Sequence, residues 1–239
     1  MICQHLVKKI TNKIQFTKIL PNFLSVFYLL TLQLNHATNH TLSVIAYFNK
    51  MSKSELQETL KSFFPNLEEE SLNALMKHSS YLKANKSTKL IFEGKKHDYF
   101  YLIIKGGVKS YYSKGSREVC MWFAFENEAI GTITTYEGLP SKETVELLQD
   151  SELIRFEIEK IKKLSQTDIS VIHLLNNLVI EHTLCIEERL YQLKFMSSKK
   201  RYKKILETTP ELLQRVSLTD IASFLGISRE TLSRIRSEV

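Results

Sequence analysis

The last stretch of the chain, Ser217 to Arg236 (SLTDIASFLGISRETLSRIR), most narrows what it can fold into. Ser217 can cap a helix, and Asp220 follows three residues later in the spacing of a capping box. Ile221, Phe224 and Leu225 give that helix an apolar face, and Ala222 is small enough for a second helix to cross closely. Gly226 falls where the chain must turn through the left-handed region. Ser228 then caps a second helix with Leu232 and Ile235 facing inward. Its other face carries Arg229, Glu230, Ser233, Arg234 and Arg236. The spacing predicts a helix-turn-helix unit whose second helix suits a DNA major groove. An ordinary helical hairpin with a solvated charged face is the plainer alternative.

Charge is placed unevenly. The formal net charge is +7. Residues 1–50 hold Lys8, Lys9, Lys13, Lys18 and Lys50 and no acid. From Ser197 onward Lys and Arg outnumber Asp and Glu by nine to five, and the stretch between is slightly acidic. A basic C-terminal segment suits phosphate-backbone binding. Cys3, Cys120 and Cys185 are scattered, without ligand spacing, so no disulfide framework, zinc site or iron–sulfur site is expected. No catalytic constellation and no phosphate-cradling glycine loop occurs, so the chain is not read as an enzyme.

Residues 1–50 differ from the rest. Their apolar run, Phe23 to Leu34, is short for a membrane span and is bordered by Pro21 and Asn22. Met51-Ser-Lys-Ser-Glu55 reads as a natural start, and residues 1–50 as an over-long gene prediction. Peptides from 1–50 in the native protein would refute this. A membrane-tethered protein is the rival.

From Met51 a helix with Leu56, Leu60, Phe63 and Phe64 is expected, stopped by Pro65. A second spans Glu68–His78, with Leu67, Leu72, Leu75 and Met76 inward. The pattern then shifts to short strands rich in β-branched and aromatic residues: 89–94, 99–112, 118–125, 143–148 and 153–158. Glycine-bearing turns separate them, which argues a β-sandwich or jelly roll. A long helix over Thr167–Phe195 follows. Ile172, Leu175, Val179, Ile186 and Leu193 form its stripe, with His182 and Arg189 in line, and this suits core packing or pairing with a twin. The fold class is α+β. Expected boundaries are 1–50 (extension), 51–165 (β-roll sensor), 166–196 (dimerisation helix) and 197–239 (helix-turn-helix domain).

This order resembles the Crp/Fnr family of bacterial transcription factors over roughly residues 55–239. Its most specific piece is Ser228-Arg-Glu-Thr-Leu-Ser-Arg234, which is similar to the family's recognition helix. The resemblance implies that Arg229 and Arg234 read guanines and that Glu230 accepts from a cytosine amine, pairings that base-edge chemistry favours. Ser228, Ser233 and Thr219 join them at the DNA. Ser217, Thr219, Ser228 and Lys199 to Lys204 are placed for phosphates. The implied partners are double-stranded DNA, a second copy of the chain and RNA polymerase, in the cytoplasm, without a membrane.

Two departures stand out. The family adds a β-hairpin wing after the recognition helix, and this chain ends at Val239. The family's phosphate cassette has Gly-Glu at its start and Arg-Ser or Arg-Thr near its end. Here Gly131 is followed by Thr132, and the arginine position falls at Ser141 or Lys142, with Glu143 beside it and Thr144 next. Gly131, Thr132, Ser141, Lys142 and Thr144 are the candidate effector pocket. Lys142 can meet an anion only as a point charge, and Glu143 repels one. Dependence on cyclic AMP is therefore not expected, and no cofactor is expected. Haem sensing would rest on His78, His97, His173 and His182, which read as packing or surface histidines. The alternative function is a small-molecule-sensing module that acts through protein contacts.

Overall fold

The computed structural model describes residues 51–115, 117–131 and 133–238. Residues 1–50, and with them the reading of Met51 as the start, lie outside the described residues, as does Thr132.

Two helices open the described chain, α1 (Lys53–Phe63) and α2 (Glu69–Lys77). Ser52 and Glu55 form a reciprocal capping box at α1. Eight strands follow: β1 (Ser79–Ala84), β2 (Lys89–Ile91), β3 (Tyr99–Lys105), β4 (Gly107–Lys114), β5 (Arg117–Phe125), β6 (Ala129–Ile130), β7 (Thr144–Leu147) and β8 (Ser151–Glu157). A one-turn helix, α3 (Ile133–Tyr136), lies between β6 and β7. The strands form two four-stranded sheets, ordered β1-β8-β3-β6 and β2-β7-β4-β5. All pairings are antiparallel.

The expected single run over 99–112 is split between the two sheets. Gly106 makes the break, with φ of 109°. A Cβ there would stand 2.0 Å from Ser151 Oγ, so the corner needs glycine both for its dihedral and for its space.

Strand alternation distributes the side chains among three cores. Tyr101, Ile103, Val108, Ala124 and Leu153 pack between the sheets. Phe100, Leu102, Ile154 and Phe156 point the other way, onto α1, α2 and the helices that follow the roll. Phe100 and Phe156 stack there at 4.7 Å. On the far side, Cys120, Phe123 and Phe125 of β5 pack against the C-terminal helices. The order of layers is thus helices, sheet, sheet, helices.

After β8 come α4 (Ile158–Ser165) and α5 (Ile169–Phe195). Asp168 caps α5 by accepting from Ser170 N and Val171 N. The apolar stripe of α5 divides. Val171, Leu175 and Cys185 are buried, whereas Ile172, Val179, Ile186 and Leu193 are exposed at seven-residue spacing. By length and composition alone, α5 is apolar enough to cross a membrane.

The chain ends in α6 (Ser198–Thr208), α7 (Leu212–Arg215), α8 (Leu218–Leu225) and α9 (Arg229–Ser237). Gly226 terminates α8 in the left-handed region at φ 69°. Ser217 and Ser228 cap α8 and α9 through Asp220 N and Thr231 N. The capping box expected at Ser217 is only half formed. Asp220 accepts from the Ser217 hydroxyl and, at 3.5 Å, faces Lys109 across the domain junction.

Candidate nucleic-acid interface and sensor interior

The α9 helix is amphipathic by construction. Leu232 and Ile235 are buried against the core that holds Ile221, Ala222 and Phe224. Arg229, Glu230, Ser233, Arg234 and Arg236 are exposed, as are Ser228 and Thr219. Arg234 touches its own helix, donating to Thr231 Oγ1 at 3.4 Å. The Ser228 hydroxyl, with its neighbouring arginines, holds the Glu230 carboxyl below its ordinary value, so it is an anion and an acceptor. The face therefore presents guanidinium donors and one carboxylate acceptor within the first two turns.

The basic run Lys199 to Lys204 of α6, expected at phosphates, is only partly turned to solvent. Arg201 turns inward, donating to Met196 O at 2.5 Å and to Leu225 O at 2.8 Å. Lys204 pairs with Glu188 and Lys199 with Glu238. Lys200 and Lys203 remain exposed. The inward turn of Arg201 places a cation on the carbonyl end of α8, where the helix dipole is negative. Arg189 of α5 does the same, donating to Phe224 O and lying 3.8 Å over the Phe224 ring. Two guanidiniums from two other helices thus hold the C-terminus of α8.

A second set of contacts ties the C-terminal helices to the roll. Arg215 grips Glu126 through both nitrogens, at 2.6 and 2.9 Å, and also donates to Gly106 O at 2.7 Å. Gly106 N donates back to Glu126 at 2.8 Å. Lys109 bridges Glu118 and Asp220. Cys120 N donates to Ser223 Oγ at 2.9 Å, and Phe123 packs on Phe224 at 5.4 Å. Sequence reading missed these residues, because each pairs with a position about a hundred residues away.

The described residues expected to form an effector pocket make different contacts. Gly131 lines a cavity against α5, with Phe100, Thr135 and His182. Ser141 is buried, and its hydroxyl donates to Glu143 O at 2.8 Å. Thr144 accepts from Glu93 N at 3.2 Å. Lys142 points to solvent. Glu143 turns inward, 7% exposed, and accepts from Ser110 Oγ and from Trp122 Nε1 at 3.0 Å. Burial pushes its carboxyl above the ordinary value, and those two hydrogen bonds only partly oppose this. Beside the residues expected to form the effector pocket, the roll therefore buries an acidic side chain of its own.

Among the described residues no group of three or more His, Cys, Asp or Glu could hold a metal ion. His97 stacks on Tyr101 at 5.5 Å, and burial lowers its pKa to about 4, which makes it a neutral packing group.

Comparison with known proteins fits this architecture. Residues 82–168 match the family model of the cyclic nucleotide-binding domain. No curated protein sequence matches the chain. Among solved structures, FixK2 from Bradyrhizobium japonicum is similar at 20% identity and a TM-score of 0.57, covering 67% of this chain and 83% of its own. A putative cAMP-binding regulatory protein from Silicibacter pomeroyi gives 19%, 0.54, 77% and 86% in the same order. The c-di-GMP-responsive global regulator CLP of Xanthomonas campestris gives 18%, 0.53, 72% and 91%. Residues 82–168 thus resemble a cyclic nucleotide-binding domain, and the chain shares the fold of FixK2 and CLP.

Proposed function

We propose that this chain is a homodimeric, sequence-specific DNA-binding regulator of transcription, of the Crp/Fnr type, that works without cyclic AMP. The observation that carries the reading is the exposed face of α9, where Arg229, Glu230 and Arg234 stand free of the protein core while Leu232 and Ile235 anchor the helix. In this reading α8 and α9 form the helix-turn-helix unit. Arg229 and Arg234 each donate in bidentate fashion to a guanine, and Glu230 accepts from a cytosine amine. Thr219, Ser228 and Ser233 meet phosphates or base edges beside them.

Dimerisation falls to α5. Its exposed row Ile172, Val179, Ile186 and Leu193 has the seven-residue repeat of a helix that pairs with its twin. Two recognition helices would then meet half-sites about 34 Å apart, one turn of DNA. The chain acts by setting that spacing rather than by chemistry on a substrate, and it is read as a cytoplasmic protein.

Selection from a random duplex pool tests the reading. The expected outcome is a palindromic motif with guanine in each half-site, bound less tightly as salt rises. Arg229→Ala should cost about 1–3 kcal/mol and relax preference at one base pair per half-site. An equal loss on all sequences would remove base reading by that residue. No enrichment, with no salt-dependent binding of duplex, would remove the function itself.

A further inference from the structure

Where β5, α5, α6 and α8 meet, they enclose a cavity of about 120 Å³. Met121, Phe123, Ile205 and Phe224 give it apolar walls. An apolar cavity of roughly 150 Å³ is known to hold a benzene ring, so this space is of single-ring size. It is too small for a nucleotide.

The charged part of the lining is net positive. Arg189, Arg201 and Lys204 stand against a single carboxylate, Glu188. His182 also borders the space, and burial holds its pKa below the ordinary value. Arg201 uses its two terminal nitrogens on backbone carbonyls, but its Nε–H is buried and has no acceptor. A guanidinium donor left without an acceptor at the wall of a cavity calls for an anionic one, because charge-assisted bonds are the strong kind.

We propose that this cavity binds a small aromatic carboxylate, with its ring among Met121, Phe123 and Phe224 and its carboxylate on the Arg201 Nε–H. The walls come from the roll, the long helix and the C-terminal helices, so an occupant touches all three at once. A ligand that fits one relative pose better than another shifts the chain toward that pose. The site is separate from the interior around Glu143, which faces the opposite side of β5.

Benzoate added to the full chain tests this, read as the heat of binding in isothermal titration calorimetry. A saturable change is expected. Benzyl alcohol, with the ring but no charge, should bind about tenfold more weakly or worse. Arg201→Lys keeps the charge, loses the Nε–H and should weaken benzoate similarly. Cys185→Phe, which fills the space, should abolish the response. The absence of a saturable response to benzoate, or equal binding of benzyl alcohol, would overturn the proposal on the unmodified chain alone. Unchanged binding in folded Cys185→Phe would overturn it too. No DNA enters the measurement, so its outcome is independent of the function proposed above.

Discussion

Arg215→Ala should loosen the C-terminal helices from the roll by an amount the geometry lets us bound. Arg215 makes a bidentate contact with Glu126, at 2.6 and 2.9 Å, with 22% and 33% of the two side chains exposed. Charge-assisted hydrogen bonds are worth about 1.5–3 kcal/mol each when well buried, and an exposed pair about 0–1 kcal/mol. This partly screened pair lies between, at about 2 kcal/mol. The guanidinium also sits 4.3 Å over the Phe125 ring, and that adds about 0.5 kcal/mol. Loss of Arg215 also leaves Gly106 O without that donor. We expect about 2–3 kcal/mol in all from urea unfolding. Arg215→Lys should recover little, because an ammonium cannot reproduce the fork.

A double-mutant cycle with Glu126→Ala isolates the pair, with an expected coupling of about 1–2 kcal/mol. Burial raises the Glu126 carboxyl, but the Arg215 fork and the Gly106 N–H outweigh it and hold the group below its ordinary value. A depressed acid contributes stability above its unfolded pKa, near 4.3, and that stability is lost as pH falls through the folded value. The coupling should therefore fade in acid. A coupling below about 0.5 kcal/mol at neutral pH would refute the claim that this ion pair fixes the domain pose.

Glu143 gives the opposite pH dependence. Its folded pKa is raised, so its contribution is full below the unfolded value and is lost as pH rises through the folded one. Glu143→Gln keeps an acceptor for Ser110 and Trp122, and should flatten this loss and remove the matching titration of Trp122 emission. An unchanged emission titration would assign it to another group. Gly106→Ala should cost about 3 kcal/mol or more in urea unfolding, since φ is 109° and the added Cβ would overlap the Ser151 side chain. A cost under about 1 kcal/mol would mean that the corner relaxes freely.

What the sequence made legible was local. Ser217, Gly226 and Ser228 act on backbone within a few residues, and the ends of α8 and α9 follow from them. The exposed and buried sides of α9 follow from a 3.6-residue period. The β roll was legible in kind but not in division. Phe100 to Ile103 read as one apolar run because both faces of β3 are covered, one by helices and one by the other sheet. Alternation therefore gave no sign of where the chain passes to its second sheet. β1 (SSYLKA) carries too little apolar pattern to stand out, and α4 has only Ile158 and Ile161 buried. The inward turns of Arg201 and Glu143 were out of reach. Their partners, Leu225 O and the Ser110 and Trp122 side chains, are set by tertiary packing, whereas charge pattern alone placed Arg201 at phosphates and Glu143 beside Lys142 at the pocket.

The interior of the β roll and the C-terminal helices meet through one layer of backbone. On β4 and β5, Ser110 and Trp122 face Glu143 between the sheets. Their chain neighbours Lys109 and Phe123 face Asp220 and Phe224 of α8. The β-bulge between Ser110 and Tyr111 lies at this point of the β4–β5 pair. A bulge lets a strand change its local twist without breaking the ladder on either side. Displacement of Trp122 must therefore be taken up by Phe123 or by the bulge, and Phe123 packs on the helix that Arg189 and Arg201 hold from behind. The pose of α8 is a balance between these two sets of contacts. The exposed face of α9 follows it, because only Gly226, Ile227 and Ser228 separate the two helices and Ile227 N is bonded back to Ala222 O.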